Sequence, residues 1–238
     1  MIVSPQNEKL KLVRKLRERK HREREGLFAS EGEDLVAAGL AAGAEPRFLL
    51  TAAGSGLGGE EVEPELLAAT SSLGSGTRAI AVWPLRWSER AEPPCLYLHA
   101  VADPGNVGAI VRSAHALLDT PVALGPGCAD PFSPKAVRAS MGSIFARPPL
   151  RAGLGETPAP RAALVAHGGA GLEALTGAAT LCLGAEREGL PAAVLAECEV
   201  EATIPLRAGA ESLNVAAAAA IAAQRISSAA MSEAQPDA

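Results

Sequence analysis

The chain has 238 residues, 48% of them apolar and only 3% aromatic, enough for one large or two small domains around an aliphatic core and not the composition of a disordered chain. Its longest apolar run is the nine-residue stretch 215–223, well short of the ~20 residues of a membrane span, and its four cysteines form no CxxC pair of the kind zinc sites and thioredoxin-like centres use. The net charge of −5 conceals an asymmetry: residues 1–29 hold nine Lys/Arg against four acids, leaving −10 on the remainder, which points to a local polyanion footprint on an acidic body. No apolar segment of signal-peptide length opens the chain, so a reduced, cytoplasmic protein is expected.

Residues 5–25 read as a basic helix with Leu10, Val13 and Leu16 at helical spacing, Ser4 as its N-cap and Pro5 as its first residue. A short strand is expected at 27–30, a helix at 34–42 stopped by Gly43, and a strand at 47–51. Residues 60–69 read as an acidic helix and 77–83 as a strand. Residues 84–94 are polar with three prolines and read as a linker between a domain at 1–88 and another at 95–231. Beyond it, strands are expected at 95–101, 121–124, 163–167, 180–184 and 199–204. They alternate with helices at 105–118, 133–140, 190–196 and 212–228, with a loop at 152–161 and a frayed tail from Ser232. This alternation implies an α/β domain with a mostly parallel sheet.

Gly54-Ser-Gly56-Leu-Gly-Gly59 satisfies GxGxxG after a strand, as in dinucleotide folds. Its context argues against a phosphate site: Glu60, Glu61, Glu63 and Glu65 follow, and a helix start bearing four carboxylates repels a pyrophosphate. The four histidines are scattered without metal-ligand spacing, and no metal is expected. Three other segments each run from a strand into a polar, glycine-bearing loop: 103–114 (DPGNVGAIVRSA), 183–190 (LGAEREGL) and 204–215 (IPLRAGAESLNV). In a parallel sheet three such loops at strand C-termini share one rim, where ligands bind. Each also has a structural reading, with Arg112 as a solvated helix residue and Ser212 as a helix N-cap.

Read together, NxGxxxR, LGxExxGL and IPxxGxxxSLNV, with the intervening KxxRxSxG at 135–142, resemble the SpoU/TrmH family of RNA ribose 2′-O-methyltransferases over 96–224. The first half, with SPQN and GLFxxEG, is more loosely similar to the substrate-binding domain that precedes this catalytic domain in rRNA-modifying members. The resemblance implies an α/β trefoil-knot (SPOUT) methyltransferase domain behind a small α/β L30e-like RNA-binding domain, and a homodimer formed through the knotted domain. It implies S-adenosyl-L-methionine as cofactor, held by Leu183, Gly184, Ile204, Leu206 and Leu213 mainly through backbone groups.

By the same resemblance Arg112, Asn106, Glu186, Ser212 and Asn214 form the catalytic set. Arg112 matches the arginine that acts on the 2′-hydroxyl. A guanidinium keeps its proton at any ordinary pH, so orienting the hydroxyl and gripping the adjacent phosphate are its easier roles. Asn106 and Asn214 would hold the arginine or the hydroxyl, Glu186 would fix its loop or pair with Arg112, and Ser212 would hold a phosphate or cap its helix. RNA is expected on Lys9, Lys11, Arg14, Arg17 and Lys20 of the basic helix and on Lys135, Arg138 and Ser140. Phe28, Phe132 and Phe145 are candidates for base stacking or for the core. The chain departs from the family pattern at Ala216, where Ser is common, and at Leu117-Leu118, where an aromatic-Gly pair is usual. The expected reaction is 2′-O-methylation of structured RNA, 23S rRNA first. A tRNA 2′-O-methyltransferase and a non-catalytic ribosome-assembly factor on the same fold are the alternatives.

Overall fold

A computed structural model of the chain describes residues 1–72 and 76–233. In chain order the elements are α1 (Glu8–Lys15), α2 (Arg19–Glu25), β1 (Leu27–Glu31), α3 (Glu33–Ala41), β2 (Phe48–Ala52), β3 (Glu60–Val62), α4 (Pro64–Thr70), β4 (Ala79–Pro84), β5 (Cys95–Leu98), α5 (Pro104–Leu118) and β6 (Val122–Leu124). They continue with α6 (Pro134–Ser140), α7 (Ser143–Ala146), β7 (Leu150–Arg151), β8 (Arg161–Leu164), β9 (Thr180–Leu183), α8 (Ala192–Leu195), β10 (Val200–Ala202) and α9 (Val215–Glu233). Short 3-10 turns lie at Leu154–Glu156 and Leu172–Leu175. Most of the expected tail from Ser232 lies outside the described residues.

These elements form two compact units, one of Met1–Arg86 with Asp130–Ala146, the other of Trp87–Ala129 with Arg147–Ala238. The chain therefore passes between them three times, the first time within the proline-bearing stretch at 84–94.

The first unit carries a four-stranded sheet in the order β1-β4-β2-β3, antiparallel except for the β2/β3 pair. The expected basic helix is two helices. Its first turn is capped by Asn7, whose Oδ1 accepts from Lys9 N at 2.9 Å, rather than by Ser4. The break follows Leu16, and the buried Arg22 explains how it is tolerated. Its Nη1 donates to Leu16 O at 2.7 Å and Arg17 O at 2.8 Å, meeting carbonyls that a continuous helix would have used.

Glu60–Val62 is a strand, not the start of a helix. Val62 is fully buried and adds a parallel edge to β2, and the helix starts only at Pro64, in the first turn where its missing N–H costs nothing. The Gly54–Gly59 loop thus feeds a strand and offers no helix N-terminus.

Residues 130–146 complete this unit. Asp130 Oδ2 accepts from Arg22 Nε at 2.9 Å and Nη2 at 2.6 Å, with the arginine side chain only 3% exposed. Phe132 and Phe145 stack on Phe28 with centroids 5.0 and 5.6 Å apart, and Trp83 lies 4.8 Å from Phe145. The three phenylalanines considered for base stacking are therefore packed against one another. Gly142 takes φ +90° and a Cβ there would stand 2.4 Å from Ala38 Cβ, so α6 and α7 can be joined this close to α3 only by glycine.

The second unit is a six-stranded, wholly parallel sheet in the order β10-β8-β9-β5-β6-β7. Alternation along β5 feeds two cores. Leu96 and Leu98 pack with Ile110, Val111 and Ala114 of α5 and with Ala219 and Ala222 of α9. Cys95 and Tyr97 face Ala163, Cys182, Leu190 and Val194. The alanine run of α9 is what allows it to lie against α5. The remaining strand and helix expectations agree within a few residues, while α7, β7 and the 3-10 turns were not anticipated.

Candidate active site

The carboxyl ends of β8, β9 and β10 open into a cleft of about 330 Å³, within the range of small-molecule sites. Its walls are Leu164–Ala166 after β8, Leu183–Leu190 after β9, then Ile204, Leu206, Ser212 and Leu213 after β10, closed by Val215 and Ala218 of α9. The β9 wall is a tight turn in which Ala185 and Gly189 exchange backbone hydrogen bonds at 3.2 and 3.0 Å. A Cβ on Gly184 would stand 2.2 Å from the Gly189 carbonyl carbon, so only glycine permits the turn to fold back on the strand.

All five residues expected to hold a cofactor, Leu183, Gly184, Ile204, Leu206 and Leu213, line this cleft. Leu164, Val165 and Ala166 line it too and were missed. They are ordinary aliphatic residues after a strand, and only their place beside β9 and β10 brings them there. The backbone N–H groups of Leu206 and Leu213 have no hydrogen-bond acceptor among the described residues. An aliphatic slot with unused backbone donors suits a flat heteroaromatic ring with acceptor nitrogens, and Glu186, Arg187 and Glu188 give one stretch of the lining charges of both signs.

Beside the cleft, three of the expected catalytic residues form one hydrogen-bonded chain. Asn106 Nδ2 donates to Glu186 Oε1 at 2.6 Å, and Asn214 Nδ2 donates to Asn106 Oδ1 at 3.0 Å. Asn214 Oδ1 in turn accepts from Ala216 N at 2.9 Å, so Asn214, rather than Ser212, caps α9. At the other end Asp103 caps α5 by accepting from Gly105 N and Asn106 N. The chain ties the first turn of α5, the β9 wall and the first turn of α9 together.

Ser212 is exposed and lines the cleft. Arg112 is not part of the group: it is exposed on α5, with no hydrogen-bond or ion-pair partner among the described residues. Glu186 is therefore paired with Asn106 and not with Arg112, and the two asparagines hold each other rather than the arginine.

The cations expected to meet RNA are largely surface groups in weak pairs. Lys9 pairs with Glu60 and lies 5.5 Å above the Phe48 ring, Lys11 pairs with Glu8 at 3.0 Å and Lys20 with Glu18 at 2.8 Å. Arg14 donates to Pro5 O at 2.5 Å and Arg17 to Thr70 O at 2.7 Å. Exposed pairs of this kind are worth at most about 1 kcal/mol and yield readily to a phosphate. Lys135 and Arg138 stand exposed on α6. Ser140 does not belong with them: it is fully buried and its hydroxyl donates to Val137 O at 2.7 Å, satisfying the end of α6 from inside. Among the described residues no helix is long and apolar enough to cross a membrane, and no group of His, Cys, Asp and Glu could hold a metal ion.

The chain matches the SpoU rRNA Methylase family over residues 93–224 and the MRM3-like substrate binding domain over residues 7–82. It is 31% identical over 241 residues to the Bacillus subtilis 23S rRNA (guanosine(2553)-2′-O)-methyltransferase RlmP, spanning 92% of this chain and 96% of that protein. The fold is similar to the SpoU methyltransferase AviRb from Streptomyces viridochromogenes in complex with AdoMet, with TM-score 0.83 and 25% identity over 95% of this chain and 99% of that one. It is equally similar to an AdoMet-bound rRNA methyltransferase from Sinorhizobium meliloti, with TM-score 0.83 and 27% identity over 94% of this chain and 95% of that one.

Proposed function

Because the chain belongs to the SpoU rRNA methylase family, we propose that it transfers a methyl group from S-adenosyl-L-methionine to a ribose 2′-hydroxyl of structured rRNA in the cytoplasm, with 23S rRNA as the species. The observation that carries this is the convergence at one rim of the backbone-lined cleft and the Glu186–Asn106–Asn214 chain, each built from a different family segment.

The cofactor supplies an electrophilic methyl on a sulfonium with a good leaving group. The protein is left to align the acceptor and manage one proton. Leu183, Gly184, Ile204, Leu206 and Leu213 hold the cofactor by shape and backbone donors. Asn106 and Asn214 fix the cleft wall against α5. Arg112, without a hydrogen-bond or ion-pair partner among the described residues, takes the RNA phosphate next to the acceptor ribose and stabilises charge developing on the 2′-oxygen. The hydroxyl proton leaves to water or to a cleft carboxylate, since a guanidinium does not accept it. RNA is preferred over DNA because the acceptor is the 2′-hydroxyl itself. Lys135, Arg138 and the α1–α2 cations supply the phosphate contacts.

We further read the β10–α9 segment as the threaded part of a trefoil knot and the knotted unit as a homodimer contact. The exposed side of α9 carries Ala217 and Ile221, one turn apart, an apolar face that supports a partner. The test is transfer from labelled cofactor to unmodified rRNA and tRNA, followed by alkaline hydrolysis. A 2′-O-methyl blocks cleavage at its own phosphodiester, so label is expected in alkali-resistant dinucleotides from 23S rRNA. Label in mononucleotides means base methylation and overturns the reading. Label confined to tRNA moves the substrate. RNA binding with no label favours an assembly factor.

A further inference from the structure

Between Cys182 on β9 and Cys198 just past α8, the chain runs out along the cleft wall and back. The return brings the two sulfurs within 3.8 Å of each other. Both belong to the same apolar layer as Tyr97 and Val194. Cys182 is fully buried and Cys198 half-buried, with its thiol also donating to Val194 O at 3.3 Å. Both are free thiols. The segment they bracket contains the whole β9 wall of the cleft, from Gly184 to Leu190.

We propose that Cys182 and Cys198 are an oxidation site: a dithiol that closes to an intramolecular disulfide with a low-molecular-weight disulfide such as glutathione disulfide, and so pins the cleft wall. The Cys198 thiolate, the more accessible, attacks one sulfur of the oxidant. The oxidant's S–S bond breaks, a mixed disulfide forms and one glutathione thiolate leaves. The Cys182 thiol then gives up its proton and attacks the Cys198 sulfur, forming the internal S–S bond and expelling the second glutathione. Two electrons pass from the cysteines to the oxidant, and the two thiol protons end on the two released glutathiones.

Burial pushes both thiols up from the ordinary cysteine value, so the thiolate fraction is small at neutral pH and the reaction quickens as pH rises. Closure brings the sulfurs from 3.8 Å to about 2 Å and constrains the segment between them. Leu190, which lines the cleft, packs in the same apolar cluster as both cysteines. The constraint therefore reaches the cleft through Leu190. That last step rests on the reading of the cleft as the cofactor site.

The experiment treats the reduced full-length chain with glutathione disulfide at about pH 8.5, maps it by non-reducing mass spectrometry and measures S-adenosyl-L-methionine affinity by calorimetry. The expected result is a Cys182–Cys198 linkage, and a dissociation constant about threefold or more higher that dithiothreitol restores. The change should be absent in Cys198→Ser, whose affinity matches that of the reduced wild type. A stable glutathione adduct on Cys198 without linkage, or a link through Cys95, overturns the site. Linkage with unchanged affinity overturns its coupling to the cleft. A reduced chain that binds no cofactor overturns the cofactor reading instead, and the mass map still decides the disulfide.

Discussion

Arg112 and Gly184 lie in two of the three strand-to-helix segments, yet only Gly184 lines the cleft. Arg112 is exposed and is not among the residues that line the cleft. Arg112→Ala is therefore expected to abolish methyl transfer while leaving the cofactor dissociation constant within about threefold, read by labelled transfer and calorimetry side by side. Gly184→Ala does the converse. Its new methyl meets the Gly189 carbonyl carbon at 2.2 Å, and overpacking of this kind typically costs about 1–3 kcal/mol. The cleft wall is displaced, and cofactor affinity should fall about tenfold or more. Equal loss of binding in the Arg112 variant would place that side chain in the cofactor site. Unchanged binding in the Gly184 variant would remove the β9 wall from it.

At the scale of elements, the segment that carries α6 is tied into the first unit by the pair between Arg22 and Asp130 and by the rings of Phe28, Phe132 and Phe145. Arg22 sits within the basic stretch that the sequence presents as one solvated face, yet its guanidinium spans the α1–α2 break and the start of the α6 segment. Removing one partner of a buried ion pair strands the other, at a cost of about 3–5 kcal/mol. Asp130→Ala should lower unfolding stability by about that amount in urea, with Asp130→Asn losing less because its carbonyl still accepts from Arg22. A loss below about 1 kcal/mol for the alanine variant would mean that the aromatic packing alone fixes the segment.

For the whole molecule, the three passages between units make the N-terminal part inseparable from the rest of the chain by a single cut. A chain beginning at residue 87 keeps Phe132 and Val137 but loses Phe28, Trp83 and Arg22 against which that segment packs. It is expected to expose this apolar face, bind a hydrophobic dye and unfold at a lower temperature than the full-length protein. A truncated chain that melts as the parent does would show that Asp130–Ala146 is stable without those partners. Loss of RNA binding on truncation would therefore combine missing phosphate contacts with an unfolded α6. Substitutions at Lys135 and Arg138 separate the two effects, since they remove charge without disturbing the packing.

The sequence by itself determined the alternating pattern of the second unit, since a buried parallel sheet writes itself as short apolar runs ending in Gly- and Pro-marked loops. The same loops made Asn106, Glu186, Asn214 and five residues of the cleft lining legible, through the resemblance of their motifs to the SpoU/TrmH family. Tertiary structure decided the rest. Whether Arg22 is solvated or buried depends on Asp130, far away in the chain, and no periodicity along α2 reports it. Ser140 reads as a polar surface residue until α6 turns it inward. Leu164, Val165 and Ala166 become part of the cleft only because β8 lies between β9 and β10. Strand order is a choice among non-local pairings, and local residue patterns do not encode it.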